Sequence, residues 1–592
     1  MVVEFISAKS FMQSSKKGKG ARPPQGPSVF ATLAPYRGLI ALLAVLSISS
    51  NGLSLWLPKI ISKAIDAYAR HTLELHDVIV QFSWVSGGIF VLVYILSILQ
   101  TGVSELVAKD MRNKLAAKIS RQSYAYVQAN DPAKLLTNLT SDMDSVKVFV
   151  AQAVVSIISS LVLIIGASAL LININWKLAL AVLAVVPLIG VAFSGALSFA
   201  SKYFAESRVV IDRLNKVINE SILGAGLIRV LDSIKLENGK FEDANAQAKG
   251  IGIKIISIFS ALIPLISFIA GLATLVIVAY GGKLVIDSSL TLGDFAAFSS
   301  YLAILIFPII MLGFVSSIIA QANASYARIA EVLAAPDPKE DGTRTDELTG
   351  QLTVKDVHVA YGQKEVLKGV SFSVKAKSRT AIIGPTAAGK TQLLYVLTGL
   401  LAPKQGEILV DGHTIDSYEK VALHRQMGFV FQDSIIFNMS LRENIAFTTE
   451  VSEESMLRAI ETAELSDLVA SLPNGLETII SERGTSLSGG QKQRLMLARA
   501  LALNPKILLL DDFTARVDTA TEAKILANVS TNYPDITLIS VTQKIAPVED
   551  YDQIILVMEG ELLASGTHQH LLETSQEYVQ IYNSQRSTNS YE

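Results

Sequence analysis

The sequence predicts a two-part chain: an all-α membrane half of six transmembrane helices with long intracellular helical extensions, followed by an α/β half built to bind nucleotide. Three observations predict it. Six apolar runs, each near the roughly 20 residues that cross a bilayer, fall within the first 320 residues. A polar, breaker-rich stretch at 336–350, PDPKEDGTRTDELTG, then ends the apolar pattern. Beyond it a short apolar strand feeds G-x-x-x-x-G-K-T, the pattern of a phosphate-binding loop.

Composition sets the outer bounds. At 592 residues the chain is too long for one core, so two or more domains are expected. Half of the residues are hydrophobic and the mean hydropathy is +0.41, which points to membrane spans and a lipid bilayer as surroundings. A net charge of −2 gives no field suited to nucleic acid, which is not expected as a partner. The absence of cysteine excludes disulfides, thiolate metal sites and cysteine nucleophiles, and fits a reducing compartment.

Residues 1–38 are polar, with Lys16, Lys17, Lys19, Arg22 and a PPQGP run, and read as a flexible cytoplasmic tail. They lack the apolar core and cleavage site of a secretory signal. They are also too short, and lack the cysteine, for an attached protease domain. The membrane half is expected over 39–335, with apolar runs at 39–57, 82–99, 148–171, 178–200, 255–280 and 295–320. Six spans put both ends on one side. Basic residues gather after the second span (Lys109, Arg112, Lys114, Lys118, Arg121) and after the fourth (Lys202, Arg208, Arg213, Lys216, Arg229). By the positive-inside rule the tail, both long connections and the C-terminal half face the cytoplasm.

Those connections, 105–147 and 201–254, mix apolar and charged residues at helical spacing. The spans are therefore expected to continue as helices outside the membrane, with breaks at Asn130-Asp131-Pro132 and Gly224-Ala225-Gly226. Within the spans charge is nearly absent. Glu105 lies past the second apolar run and Asp294 at the edge of the sixth, leaving Ser47, Ser49, Ser50, Asn51 and Ser54 and the prolines Pro187, Pro264 and Pro308 as the irregularities. An ion-driven carrier needs ionisable groups at membrane depth. Their scarcity assigns the energy source to the C-terminal half and implies an apolar or amphiphilic cargo in a serine-dotted cavity.

The C-terminal half, 351–592, opens with an alternating strand at 351–361. The strand 380–383 runs into Gly384, Pro385, Thr386, Ala387, Ala388, Gly389, Lys390 and Thr391, with a helix following. The glycines let backbone N–H groups wrap phosphates, Lys390 reaches the outer phosphates, and the Thr391 hydroxyl suits Mg2+. At 487–518 a Ser-Gly-Gly turn leads into a basic helix, then the apolar strand 507–510 delivers Asp511 and Asp512. A helix N-terminus for an anion and carboxylates for a metal and a water are nucleotide-handling equipment.

Together these motifs resemble the ATP-binding cassette (ABC) transporters of the exporter type, as a half-transporter, over essentially the whole chain past residue 30. The resemblance implies ATP and Mg2+ as cofactors. Tyr361 matches the aromatic that stacks on adenine, and Gln392 joins residues 384–391 as a nucleotide contact. Gln432 matches the glutamine that touches Mg2+ and the attacking water, and Asp511 the Mg2+-holding aspartate. Ser488, Gly489, Gly490 and Gln491, after Leu487, match the family signature. Asp518 falls at the D-loop aspartate, and Glu482 resembles an acid that meets the coupling helices, which the two long connections would form.

Two positions depart from that family's pattern. The catalytic glutamate is replaced by Asp512, whose carboxylate is one methylene shorter, and the switch histidine by Gln543, whose amide cannot supply a cation. A misplaced general base slows reactions about 10²–10⁴-fold. The D-loop, Ala515-Arg516-Val517-Asp518, is also unusual. Because two cassettes of this family sandwich two ATP molecules, the resemblance implies a heterodimer with a second half-transporter. This chain would bring a slow hydrolytic site and lend an intact signature to its partner. Alternatives stay open: a slow homodimeric exporter or lipid flippase, a regulatory ATP-binding subunit, and an exporter-fold importer of a metal chelate. Six spans exclude a soluble cassette of DNA repair or translation. The cargo stays open among lipid, peptide, drug-like amphiphile and siderophore.

Overall fold

The computed structural model describes residues 28–338, 341–362, 364–447, 451–481, 484 and 486–589. Residues 1–27 of the expected tail, and Glu482 with Arg483, lie outside them. The chain divides into two compact units, one of Met1–Arg121 with Asn130–Pro336 and one of Gln122–Ala129 with Asp337–Glu592.

In the first unit six helices are long and apolar enough to cross a membrane: Val29–Ala69, Leu75–Arg121, Pro132–Ile174, Trp176–Leu223, Ile234–Ile286 and Leu292–Leu333. They run 41 to 53 residues. At 1.5 Å per residue that is about 60–80 Å, twice the hydrocarbon thickness. The apolar runs are thus the middles of longer helices whose ends carry the charges. π-helical turns interrupt the third at Asn138–Asp142 and Phe149–Ala153 and the fifth at Ile277–Gly281. Pro264 and Pro308 lie inside helices, as does Pro58, while Pro187 sits in the first turn of Val185–Leu223, where its missing N–H leaves no bond unmade.

The fourth and fifth spans pack on each other, and the first packs on the second, third and sixth. Ser47 and Ser50 are buried. Ser47 Oγ lies 2.8 Å from Ser159 Oγ, and Asn51 Nδ2 donates to the same hydroxyl at 3.1 Å. Ser47 and Asn51 thereby tie the first span to the third, as expected where apolar contacts alone do not hold helices together. Near the helix ends, Arg328 Nε donates to Asp142 Oδ2 at 2.9 Å and Lys147 pairs with Glu105. These two ion pairs join the sixth span to the third and the third to the second, and Arg213 with Asp243 joins the fourth to the fifth.

The two connections differ. The first contains the short helix Tyr124–Ala129, which belongs to the second unit. The second contains Ala225–Val230, in the first unit, with Leu223 79% and Val230 82% exposed.

The second unit holds a four-stranded sheet of β1 (Leu352–Tyr361), β2 (Lys364–Val374), β4 (Gln405–Val410) and β5 (His413–Thr414), in the order β2-β1-β4-β5. The main sheet is made from β3 (Arg379–Ile383), β6 (Met427–Val430), β9 (Ile507–Asp511), β10 (Thr537–Thr542), β11 (Gln553–Met558) and β12 (Glu561–Gly566). Its order is β12-β11-β3-β10-β9-β6, parallel except for the edge strand β12. β7 (Met439–Ser440) and β8 (Ile479–Ile480) form a small separate pair. Every residue of β9 is buried. Ile507 and Leu509 enter one apolar cluster and Leu508 and Leu510 the other, so the strand reads as one unbroken apolar run because both faces are covered.

Candidate functional site

Four neighbouring parallel strands end level with one another. Ile383 pairs with Thr542, Asp511 with Val541, and Val430 with Leu510. The segments that follow emerge along one edge of the sheet: the loop 384–389 after β3, Gln543 after β10, Asp512 after β9 and Gln432 after β6. The carboxyl ends of parallel strands are where α/β sheets bind ligands.

The loop depends on its glycines. Gly384 has φ +154°, and a Cβ there would stand 2.0 Å from the Val557 carbonyl oxygen. Gly389 has φ +96°, where a side chain would press on Leu367 and on the Val366 carbonyl. Pro385, Thr386 and Ala387 form the exposed crest, while Ala388 is buried. Lys390 and Thr391 open the helix Lys390–Leu397, with Gln392 next and half-buried. Lys390 Nζ donates to the Gly384 and Pro385 carbonyls at 2.8 Å each, so its ammonium lies along the loop. Burial pulls that ammonium below its usual value, against the opposing pull of Asp512 and Asp511.

Thr391 Oγ1 donates to Asp511 Oδ1 at 3.2 Å. Asp511 is 1% exposed and its Oδ2 has no hydrogen-bond partner among the described residues. Burial pushes its carboxyl up to about 6, with Asp512 adding to the rise and the Thr391 bond opposing it. A buried carboxylate oxygen without a donor, beside a threonine hydroxyl and a second carboxylate, fits Mg2+, a hard cation that takes oxygen ligands. Asp512 follows at φ +46°, its N–H donating to the Val541 carbonyl at 2.9 Å, which anchors the left-handed residue to β10.

Gln432 and Gln543 are both exposed, and each is held by a glutamine that sequence reasoning missed. Gln493, buried in the helix Gly489–Leu501, donates from Nε2 to the Gln432 carbonyl at 3.2 Å. Gln585, in the helix Gln576–Asn589, donates from Nε2 to the Gln543 carbonyl at 2.7 Å and accepts the Ile545 N–H at 2.9 Å. Gln493 lies two residues past the signature and was in view; nothing in the sequence marks Gln585.

Tyr361 ends β1 and is 46% exposed. Burial of its remainder, and next the neighbouring Tyr124, raises its hydroxyl pKa. Tyr124 packs edge-on against Tyr395 with ring centroids 5.4 Å apart, and Tyr395 adjoins Phe429 and Phe431 just before Gln432.

The signature turn is a closed capping box. Ser488 Oγ accepts the Gln491 N–H at 3.3 Å and Gln491 Oε1 accepts the Ser488 N–H at 2.8 Å, while buried Leu487 anchors the entry. The Ser488 O–H remains a donor. A Cβ on Gly490 would stand 2.9 Å from the Arg516 carbonyl oxygen, so the unusual D-loop lies against these glycines. Asp518 caps the helix Thr519–Asn532 by accepting the Thr521 N–H at 2.9 Å. Lys390, Thr391, Asp511 and Asp512 are thus gathered at one place. Among the described residues, the side chains of Ser488 and Gln491 bond to each other's backbone and none reaches that cluster.

Residues 40–309 match the family described as ABC transporter transmembrane region, and residues 367–515 the one described as ABC transporter. The chain is 32% identical to the uncharacterized ABC transporter ATP-binding protein YfiB of Bacillus subtilis (strain 168), over 93% of this chain and 97% of that protein. It belongs to the ABC transporter family. It is also 28% identical to an ATP-dependent lipid A-core flippase of Syntrophus aciditrophicus (strain SB), over 83% of this chain and 82% of the flippase. Its fold is that of a bacterial Atm1-family ABC exporter solved with ATP bound, at TM-score 0.78 and 24% identity, covering 94% of this chain and 99% of that one. This ABC transporter is therefore a multi-pass membrane protein of the exporter fold, with an ATP-binding domain whose ATPase activity is coupled to transport.

Proposed function

We propose that the protein is one half of an ATP-driven exporter of an apolar or amphiphilic substrate, working as a heterodimer in which its own hydrolytic site is slow. The membrane half is 39–335, the linker 336–350 and the nucleotide half 351–592, with the tail 1–38 and the nucleotide half cytoplasmic. The observation that carries the reading is the level edge of β3, β10, β9 and β6. It brings an intact phosphate loop and Asp511 together with Asp512 and Gln543, which this reading takes to replace a catalytic glutamate and a switch histidine.

In this reading residues 384–391 and Gln392 bind the triphosphate, Tyr361 stacks on adenine, and Thr391, Asp511 and Gln432 hold Mg2+, which neutralises phosphate charge. Asp512 stands one methylene short of the attacking water, and Gln543 gives a neutral hydrogen bond where a cation would act, so ATP is held longer than it is cleaved. Ser488, Gly489, Gly490 and Gln491 present a helix N-terminus and a free hydroxyl donor to the γ-phosphate on the partner's loop. Closure of the two cassettes on ATP moves the connections and turns the cavity outward, and hydrolysis resets it. A second chain is supported by the exposed Leu223, Leu227, Val230 and Leu231 around the helix Ala225–Val230, apolar surface that a partner would cover. The likeness to a lipid A-core flippase supports an amphiphile, whether lipid, peptide or small molecule, as cargo.

The test is ATPase activity of the purified chain in lipid, with and without a second half-transporter that carries the glutamate and the histidine. Low activity alone and high activity together is the expected result. Full activity from the chain alone, abolished by Asp512→Asn, would establish a homodimer instead.

A further inference from the structure

The switch loop after β10 is held by a side chain from the far end of the chain. The Gln585 amide bridges two backbone groups on either side of Lys544, donating to the Gln543 carbonyl at 2.7 Å and accepting the Ile545 N–H at 2.9 Å. One amide thereby satisfies a donor and an acceptor of a loop with no ladder partners of its own, as a neighbouring strand would. The helix carrying it, Gln576–Asn589, is fixed at its base, where Tyr578 is fully buried and its hydroxyl lies 2.6 Å from His568 Nδ1. From the other side, Lys544 Nζ lies 3.9 Å from Glu522 Oε2, on the helix that Asp518 caps. The loop is therefore set by two elements outside the nucleotide site.

We propose that Gln585 is the positioning residue of the switch, so that the C-terminal helix decides where the Gln543 amide stands relative to bound nucleotide. The proposal rests on the assignment of Gln543 as the switch. Among the described residues both side-chain hydrogen bonds of Gln585 go to backbone groups, so side-chain substitutions on the switch leave them in place. Losing the bridge frees two backbone groups, each bond being one whose loss shifts an equilibrium about threefold to tenfold.

The test uses the full-length chain with its partner in lipid nanodiscs and follows two quantities. These are amide hydrogen exchange over 542–548 and the dwell time of radiolabelled ATP on this chain's site after dilution. Gln585→Met keeps the shape and loses both bonds, whereas Gln585→Glu keeps the acceptor for Ile545 N–H and sets a carboxylate against the Gln543 carbonyl. Both variants should shorten the dwell by about threefold or more, with initial ATP affinity within about twofold because the phosphate loop is untouched. Exchange at Ile545 should rise in Gln585→Met and stay near wild type in Gln585→Glu. An unchanged dwell in both variants, while Gln543→Ala shortens it, would overturn the proposal and leave the switch assignment standing. An unchanged dwell in Gln543→Ala as well would overturn the switch assignment itself.

Discussion

The signature turn and the end of β9 lie on one continuous segment and are built equally well, yet they differ in what their side chains can do. At the turn, Ser488 and Gln491 close a capping box over buried Leu487. At the strand end, Asp511 is set by a fully buried strand and bonded by Thr391, and Asp512 is tied to β10. Neither backbone is damaged. Under the proposed assignment the difference is one methylene at Asp512 and one missing charge at Gln543. On the proposed reading the weak site is a chemical change on an intact scaffold, which would let it keep binding ATP while hydrolysis passes to the other interface.

The largest effect that tests the contrast is a pair of substitutions in the dimer. Ser488→Arg should lower ATPase activity about 10²-fold or more by removing a donor from the working site and filling it. Asp512→Asn should change the rate less than about threefold, because a slow site contributes little to the total. The measurement is steady-state ATPase activity of the complex. If Asp512→Asn costs as much as Ser488→Arg, the two ends of the segment are not unequal.

Next in size is repair. With Ser488→Arg silencing the other site, Asp512→Glu combined with Gln543→His should raise the remaining turnover about tenfold or more, since both restored groups act in the transition state. Single-turnover cleavage of radiolabelled ATP reads this directly. The scaffold at the strand end needs no rebuilding if the contrast is chemical.

A smaller effect is the pH dependence of MgATP binding. As the proposed Mg2+ ligand Asp511 must be ionised, and burial has pushed its carboxyl up to about 6. The raised value means that the carboxyl keeps its proton to a higher pH than a free aspartate does, and is ionised above about 6. Affinity should therefore hold above about pH 7 and fall as pH drops through 6, approaching tenfold per unit below it. Equilibrium titration with a fluorescent ATP analogue between pH 5 and 8 measures it, and Asp511→Asn should be weak and flat across the range. The signature turn has no titrating group in this window.

The parts visible in the sequence were those whose signal is local. Six apolar runs, the glycine spacing of 384–389 and the S-x-x-Q of Ser488 to Gln491 each lie within a few residues, so periodicity and motif reach them. The helices run further than the apolar runs, as the helical spacing of apolar residues among charged ones such as Lys114 and Lys118 predicts. The contacts that were not visible are long-range. Gln585 meets the switch from 42 residues away, Tyr124 lies against Tyr395, and Ser47 spends its hydroxyl on Ser159. None of these pairs, the edge-on contact of Tyr124 with Tyr395 included, has a spacing that a periodicity can carry. Asp512 was visible as a residue type, but its left-handed backbone and its tie to Val541 were not.

The finest test separates structure from charge at the signature end. Gln491 serves the box through its side-chain oxygen, and under the proposed reading it also lies where the partner's γ-phosphate is held. Gln491→Ala leaves the Ser488 N–H without its acceptor and should cost about 0.5–1.5 kcal/mol in thermal stability of the cassette. The serine hydroxyl still caps the helix, so activity should fall only a few-fold. Gln491→Glu keeps the acceptor, because glutamate completes the same box, so stability should stay near wild type. Its carboxylate would sit beside a phosphate and repel it, so the KM for ATP should rise several-fold and fall back as salt screens the charge. The two variants thus move opposite readouts, melting temperature for one and a salt-sensitive KM for the other. If Gln491→Glu leaves KM unchanged at low salt, Gln491 faces no phosphate, and the signature's share in a second site rests on Ser488 and the glycines alone.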